Sequence, residues 1–147
     1  MRLIDLVPIL QVAVGPVILI SGVGLLLLSM TNRLGRVIDR SRLLAEASRK
    51  ADAQDRSRLV SQLKVLSRRA RLVRLAIILA ALSVLLAAVL IIALFLAALL
   101  RWEIGILVVI LFVGCMTSLI GSVIVFIGDI NLSLSALSLE VEEPFAH

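Results

Sequence analysis

Half of the ten residues from Arg33 to Arg42 are charged: Arg33, Arg36, Asp39, Arg40 and Arg42. A guanidinium is planar, permanently charged and able to grip phosphate oxygens in pairs. At helical spacing these four arginines cover nearly three turns and form a candidate surface for lipid phosphate. Asp39 stands three residues from both Arg36 and Arg42, within reach of either along a helix. The one other acid expected to join this cluster is Asp129, which is predicted to pair with Arg33 or Arg36; the alternative is a solvated carboxylate.

A second group comprises polar residues inside apolar runs. Gln11 and Thr117 are the side chains that would line a pore if one existed. Ser83, Thr117, Ser118 and Ser122 more commonly satisfy a carbonyl of their own or a neighbouring helix. Little else offers chemistry. Cys115 is the only cysteine and His147 the only histidine, so neither an intrachain disulfide nor a His/Cys metal site is expected. No Gly-rich phosphate loop, paired catalytic carboxylates or Ser/His/Asp set is present. The expectation is a protein that is not an enzyme and needs no cofactor.

The elements that must carry these residues are set by composition. Of 147 residues, 61% are apolar but only 3% aromatic, and the mean hydropathy is +1.16. A soluble domain has about 45–50% apolar residues. The excess is aliphatic, as lipid-facing helices require. Crossing about 30 Å of hydrocarbon takes about 20 apolar helical residues, and residues 6–30, 75–100 and 104–128 each supply them. The second run holds 17 Leu, Ile, Val or Phe residues and no charge, each contributing about −0.3 to −0.6 kcal/mol near a helix centre. The first is weaker, with Pro8, Gln11, Gly15, Pro16, Gly22 and Gly24. Its positive charge follows rather than precedes it, so a mature helix is expected and not a cleaved signal peptide.

Orientation follows from charge. Residues 31–74 hold 13 of the 15 basic residues against four acids, a net +9, while the rest of the chain is net −4. Under the positive-inside rule this segment is cytoplasmic, the N-terminus is outside and the C-terminus is inside. Arg101-Trp102-Glu103 then forms an outer turn, with Trp102 as an interfacial anchor. The basic segment contains no aromatic residue on which a base could stack, so anionic headgroups are the expected partner and nucleic acid is not.

Within 31–74 the apolar pattern turns periodic. Leu34, Val37, Ile38, Leu44 and Ala45 recur at helical spacing, as do Leu59, Leu63, Leu66, Ala70 and Val73. Glu46/Lys50 and Asp52/Arg56 are possible i,i+4 ion pairs. The favoured arrangement is a helical hairpin turning near residues 51–55, its arms packed as an antiparallel coiled coil or onto neighbouring subunits. The competing arrangement breaks the helix at Asn32–Gly35 and lays an amphipathic helix on the headgroups. Neither Gly nor Pro marks the expected turn.

Small residues suggest how the spans associate. Gly15, Gly22 and Ser29 are seven apart; Gly114, Ser118 and Ser122 are four apart. Both stripes let helix backbones approach, and packing within one subunit is expected, with contacts between subunits as the alternative. Pro8 is expected in the first helical turn, where its missing donor is harmless. Residues 129–147, rich in Leu and Ser and ending in Glu140, Glu142 and Glu143, form an amphipathic, acidic tail.

The string Asn32-Arg33-Leu34-Gly35-Arg36-Val37-Ile38-Asp39-Arg40-Ser41-Arg42-Leu43-Leu44 resembles a bacterial family catalogued as a domain of unknown function (number 2721). Gly15-Pro16 and the acid after the third span are similar too, over residues 5–140. The resemblance implies a small multipass protein of the bacterial inner (plasma) membrane and no particular activity. The position of Asp129 is commonly Glu there. The reading is an all-α integral membrane protein: a single domain over 1–147, three transmembrane helices, and a cytoplasmic helical hairpin between the first two. The expected role is a structural or accessory subunit of a homo-oligomer or larger membrane complex; a homo-oligomeric channel and an anionic-lipid scaffold are the alternatives.

Overall fold

The computed structural model describes the backbone of residues 3–100 and 103–142, and side-chain surroundings for residues 7–8, 10–100 and 103–132. These residues form three helices: α1 (Leu3–Lys50), α2 (Ala53–Leu100) and α3 (Gly105–Glu142). Each is long and apolar enough to cross a membrane, which makes this a membrane protein by length and composition. Long unbroken helices are what lipid demands, because they satisfy their backbone groups internally. The expected outer turn at Arg101-Trp102 and the end of the tail, from Glu143 on, lie outside the described residues, as do the side chains of the tail from Ser133.

α1 passes through Asn32–Gly35 without a break. It ends at Lys50 and α2 begins at Ala53, so the connection is two residues long. Glycine is unnecessary there because the helix ends are stabilised by charge. Arg49 and Lys50 occupy the last turn of α1 and Asp55 the first turn of α2, each opposing the local dipole. Asp52 takes the N-cap position of α2: its carbonyl accepts the Arg56 N–H at 2.9 Å, and Asp is a preferred cap. That role corrects one expected ion pair. Asp52 precedes the helix instead of lying on its face, and it makes no ion pair with Arg56, whereas Lys50–Glu46, within α1, closes at 3.2 Å.

Pro8 needs a second correction. α1 starts at Leu3, so Pro8 is its sixth residue and lies beyond the first turn. It withholds a donor from the Ile4 carbonyl, as Pro16 does from Val12.

The chain divides into two compact units. The first comprises Met1–Leu28 and Ile78–Ser122. Its buried positions are small: Ala13, Ala80, Ser83, Ala87, Cys115, Ser118 and Ser122, with Val23 and Leu90. Small side chains bring helix axes close, which replaces the hydrophobic driving force that lipid removes. A Cβ on Gly114 would sit 3.6 Å from Leu86 Cδ1, and one on Gly121 3.6 Å from Leu79 Cδ1. Ser118 Oγ donates to the Leu79 carbonyl at 2.8 Å and Cys115 Sγ to the Ser83 carbonyl at 3.2 Å, each using a second lone pair on a helical carbonyl. The outward positions are large and aliphatic, Leu85, Ile92, Leu99, Ile106 and Ile110 among them.

The stripe on α3 therefore packs as expected, but the one on α1 does not. Gly15, Gly22 and Ser29 are all exposed, and a Cβ on Gly15 or Gly22 would meet nothing within 4 Å. The buried face of α1 is instead Ala13, Val23, Met30 and Val37. Bulkier side chains win the interior of this helix, and the glycines fall on its outside.

The second unit comprises Ser29–Ile77 and Val123–His147. Met30, Val37, Val73 and Ala76 are buried in it, and with them lies one charged residue, Asp129, with no exposed surface.

Candidate functional site: an arginine pocket beside a buried aspartate

Three helices build this site at heptad-like spacing. On α1, Met30, Arg33, Val37 and Arg40 recur at intervals of three and four; on α2, Leu66, Arg69, Val73 and Ala76 do the same. Such spacing puts each set on one helix face. Arg33 lies 18 residues before Ala51 and Arg69 lies 17 after Asp52, so the two-residue connection brings them to one level. α3 supplies Phe126 and Asp129, three apart and on one face.

At that level the charges meet. Arg33 Nε stands 2.9 Å from Asp129 Oδ2, and Arg69 Nε stands 3.6 Å from Asp129 Oδ1. Both contacts are ion pairs: the first is close but lacks the angle of a hydrogen bond, and the second is too long for one. Asp129 is fully buried while the arginine side chains keep 22% and 18% of their surface. The guanidiniums thus reach inward over a carboxylate with no exposed surface. Arg33 Cζ also lies 5.7 Å from the centroid of the Phe126 ring, a cation–π distance, which holds that guanidinium from a second side. Removing one member of a buried charge pair costs about 3–5 kcal/mol, because the partner charge stays behind without compensation.

Arg33 and Arg69 also line a pocket of about 240 Å³, together with Arg36, Val37, Arg40 and Leu66. Four of its six lining residues are arginines. Arg36 and Arg40 are exposed and make no hydrogen bond or ion pair among the described residues. They are one helical turn apart, a spacing at which like charges repel by a few tenths of a kcal/mol. Two guanidiniums without a partner among the described residues make this a site that attracts anions.

The residues anticipated from the sequence distribute unevenly around this site. Arg33 and Asp129 come together, and Arg36 and Arg40 line the pocket. Arg42 is exposed and takes no part in the pocket lining. Asp39 is exposed and forms no ion pair with Arg36 or Arg42 among the described residues, contrary to expectation. An exposed pair gains about 0–1 kcal/mol against the entropy of fixing two long side chains, and here water wins. Gln11 and Thr117 are exposed, and the Thr117 hydroxyl donates to its own helix at Val113 O, 2.8 Å away. Ser118 and Ser122 are buried.

Sequence reasoning missed Arg69 and Phe126. Arg69 carried a signal: it occupies a seam position between Leu66 and Val73 and mirrors Arg33 across the turn. Phe126 lies one turn before Asp129, inside an apolar run that hides it. No group of three or more potential metal ligands occurs among the described residues.

A family model described as "Protein of unknown function (DUF2721)" matches residues 13–139. No curated protein and no solved structure matches the chain.

Proposed function

Since this chain belongs to the DUF2721 family of proteins of unknown function, we propose that it is a non-enzymatic structural or accessory subunit that assembles in a bacterial plasma membrane through helix packing. One observation carries this reading. α1 presents Gly15, Gly22 and Ser29 on its outside, with nothing within 4 Å of where a Cβ on either glycine would be. A glycine costs a helix interior about 1 kcal/mol relative to alanine, and lipid returns nothing for it. A second helix does, by approaching closely. The corresponding stripe on α3 is already used inside the chain, at Ser118 and Ser122.

In this reading the partner is a second copy or another membrane subunit. The basic parts of α1 and α2 form a cytoplasmic hairpin, with the N-terminus outside and the C-terminus inside. The net +9 of residues 31–74 supports that orientation. Exposed Leu43, Val60 and Val65 offer the hairpin apolar contacts of its own.

The test is disulfide crosslinking of Gly22→Cys in a Cys115→Ala background, in native membranes. A crosslinked dimer, with association lost in Gly22→Leu, is the expected result. A chain that stays monomeric in nanodiscs, with no partner recovered by crosslinking, overturns it. No observation favours the channel: the Thr117 hydroxyl is taken by its own helix, and the crevice beside Gly15 and Pro16, of about 260 Å³, is walled by Leu19, Ala87, Leu90, Phe112 and Met116 with Cys115. Liposome flux is expected to stay at background.

A further inference from the structure

We propose that the arginine pocket is a binding site for a phosphate group carrying close to two negative charges. The argument begins with what the pocket would be when empty. Arg33, Arg36, Arg40 and Arg69 converge on about 240 Å³, and Asp129, fully buried, is held by Arg33 and Arg69. Arg36 and Arg40 have no partner among the described residues, yet both face one pocket from one side of α1, with Arg69 opposite on α2.

A tetrahedral oxyanion suits that arrangement. It offers several oxygens in different directions, and each guanidinium can engage two. Val37 and Leu66 exclude water from part of the wall, which strengthens the charge interaction. A carboxylate is planar and carries one charge; a phosphodiester carries one; a phosphomonoester carries about 1.5–2 at pH 7. Arg36 and Arg40, two guanidiniums without a partner among the described residues, match the last. Asp129 is a positioning residue here: it aims Arg33 and Arg69 without touching the anion. The chemistry is shared by two sources, a lipid headgroup ending in a phosphomonoester and free phosphate.

The experiment uses the full chain in nanodiscs of neutral phosphatidylcholine. In one arm inorganic phosphate is titrated by calorimetry. In the other, part of the lipid is replaced by phosphatidic acid or by phosphatidylglycerol, and lipid retained through native mass spectrometry is counted. Each charged hydrogen bond lost costs about tenfold in affinity, so Arg36→Gln/Arg40→Gln is expected to weaken binding about a hundredfold. Arg56→Gln/Arg58→Gln, which removes the same charge near the turn, is expected to leave it unchanged. Circular dichroism melts of both double variants should match the parent, since none of the four residues lies in the buried pair. Binding of inorganic phosphate assigns a soluble anion; retention of phosphatidic acid alone assigns a headgroup. Equal retention of phosphatidylglycerol overturns the dianion assignment. Loss of binding in both double variants alike, or no binding in either arm, overturns the site. The outcome is independent of assembly, because the pocket is complete within one chain.

Discussion

Asp129 is where a single residue matters most. It is the only charged side chain fully buried among the described residues, and two guanidiniums were brought to it by helices that have other apolar contacts to make. Replacing it with alanine leaves Arg33 and Arg69 facing each other across an apolar interior. Asp129→Ala is therefore expected to destabilise the protein by about 3–5 kcal/mol, measured by circular dichroism in mixed micelles titrated with sodium dodecyl sulfate. A change below about 1 kcal/mol would mean that the pair is solvated. The buried serines make a finer comparison. Ser118→Ala removes a 2.8 Å bond between helices and should cost about 0.6 kcal/mol, up to 1.7. Ser83 has a buried hydroxyl without a hydrogen-bond partner, so Ser83→Ala should be neutral or stabilising in the same assay.

At the scale of elements, the turn and the small-residue faces decide the outcome. The connection between α1 and α2 reverses the chain in two residues with Asp52 at the N-cap position and no glycine. The Asp52 carboxylate makes no hydrogen bond to the helix start among the described residues, so Asp52→Ala should cost less than the roughly 1 kcal/mol of a closed cap, with hydrogen exchange of the first α2 amides little changed. The glycines of α1 and α3 should respond differently. Gly114→Leu pushes a branched side chain toward Leu86, whose Cδ1 is already 3.6 Å from a Cβ position, and should cost about 1–3 kcal/mol by overpacking. Gly22→Ala meets open space and should leave the isolated chain as stable or more so, by up to about 1 kcal/mol, while weakening any association that uses that face. Unequal effects on stability and crosslinking would separate packing within the chain from packing between chains.

For the molecule as a whole, charge distribution is the organising fact. Thirteen basic residues lie between Arg33 and Arg74, and in the proposed orientation they face anionic lipid and cytoplasm. A reporter fused at residue 55 should be active in the cytoplasm and silent in the periplasm; the reverse pattern would contradict the positive-inside argument. The apolar spans hold most of their side chains outward: within the most apolar window of each, 11, 28 and 17% of residues are buried in α1, α2 and α3. That pattern fits a lipid solvent, in which outward leucine carries no penalty. The buried share of that window is largest in α2.

Three helices, their approximate limits and the likeness to DUF2721 were legible in the residues alone, because lipid imposes a length and composition that need no tertiary knowledge. The pairing of Arg33 with Asp129 was also within reach, since depth along a span can be counted. What counting could not supply was rotation. Whether Gly15, Gly22 and Ser29 face inward or outward depends on which of several small and apolar stripes wins the contact, and in α1 the stripe through Ala13, Val23, Met30 and Val37 won. Arg69 looked like any other residue of a solvated basic face until α2 was turned to present it opposite Arg33. Hydrophobicity selects the solvent of a helix from its sequence; only competition among packed side chains selects the face.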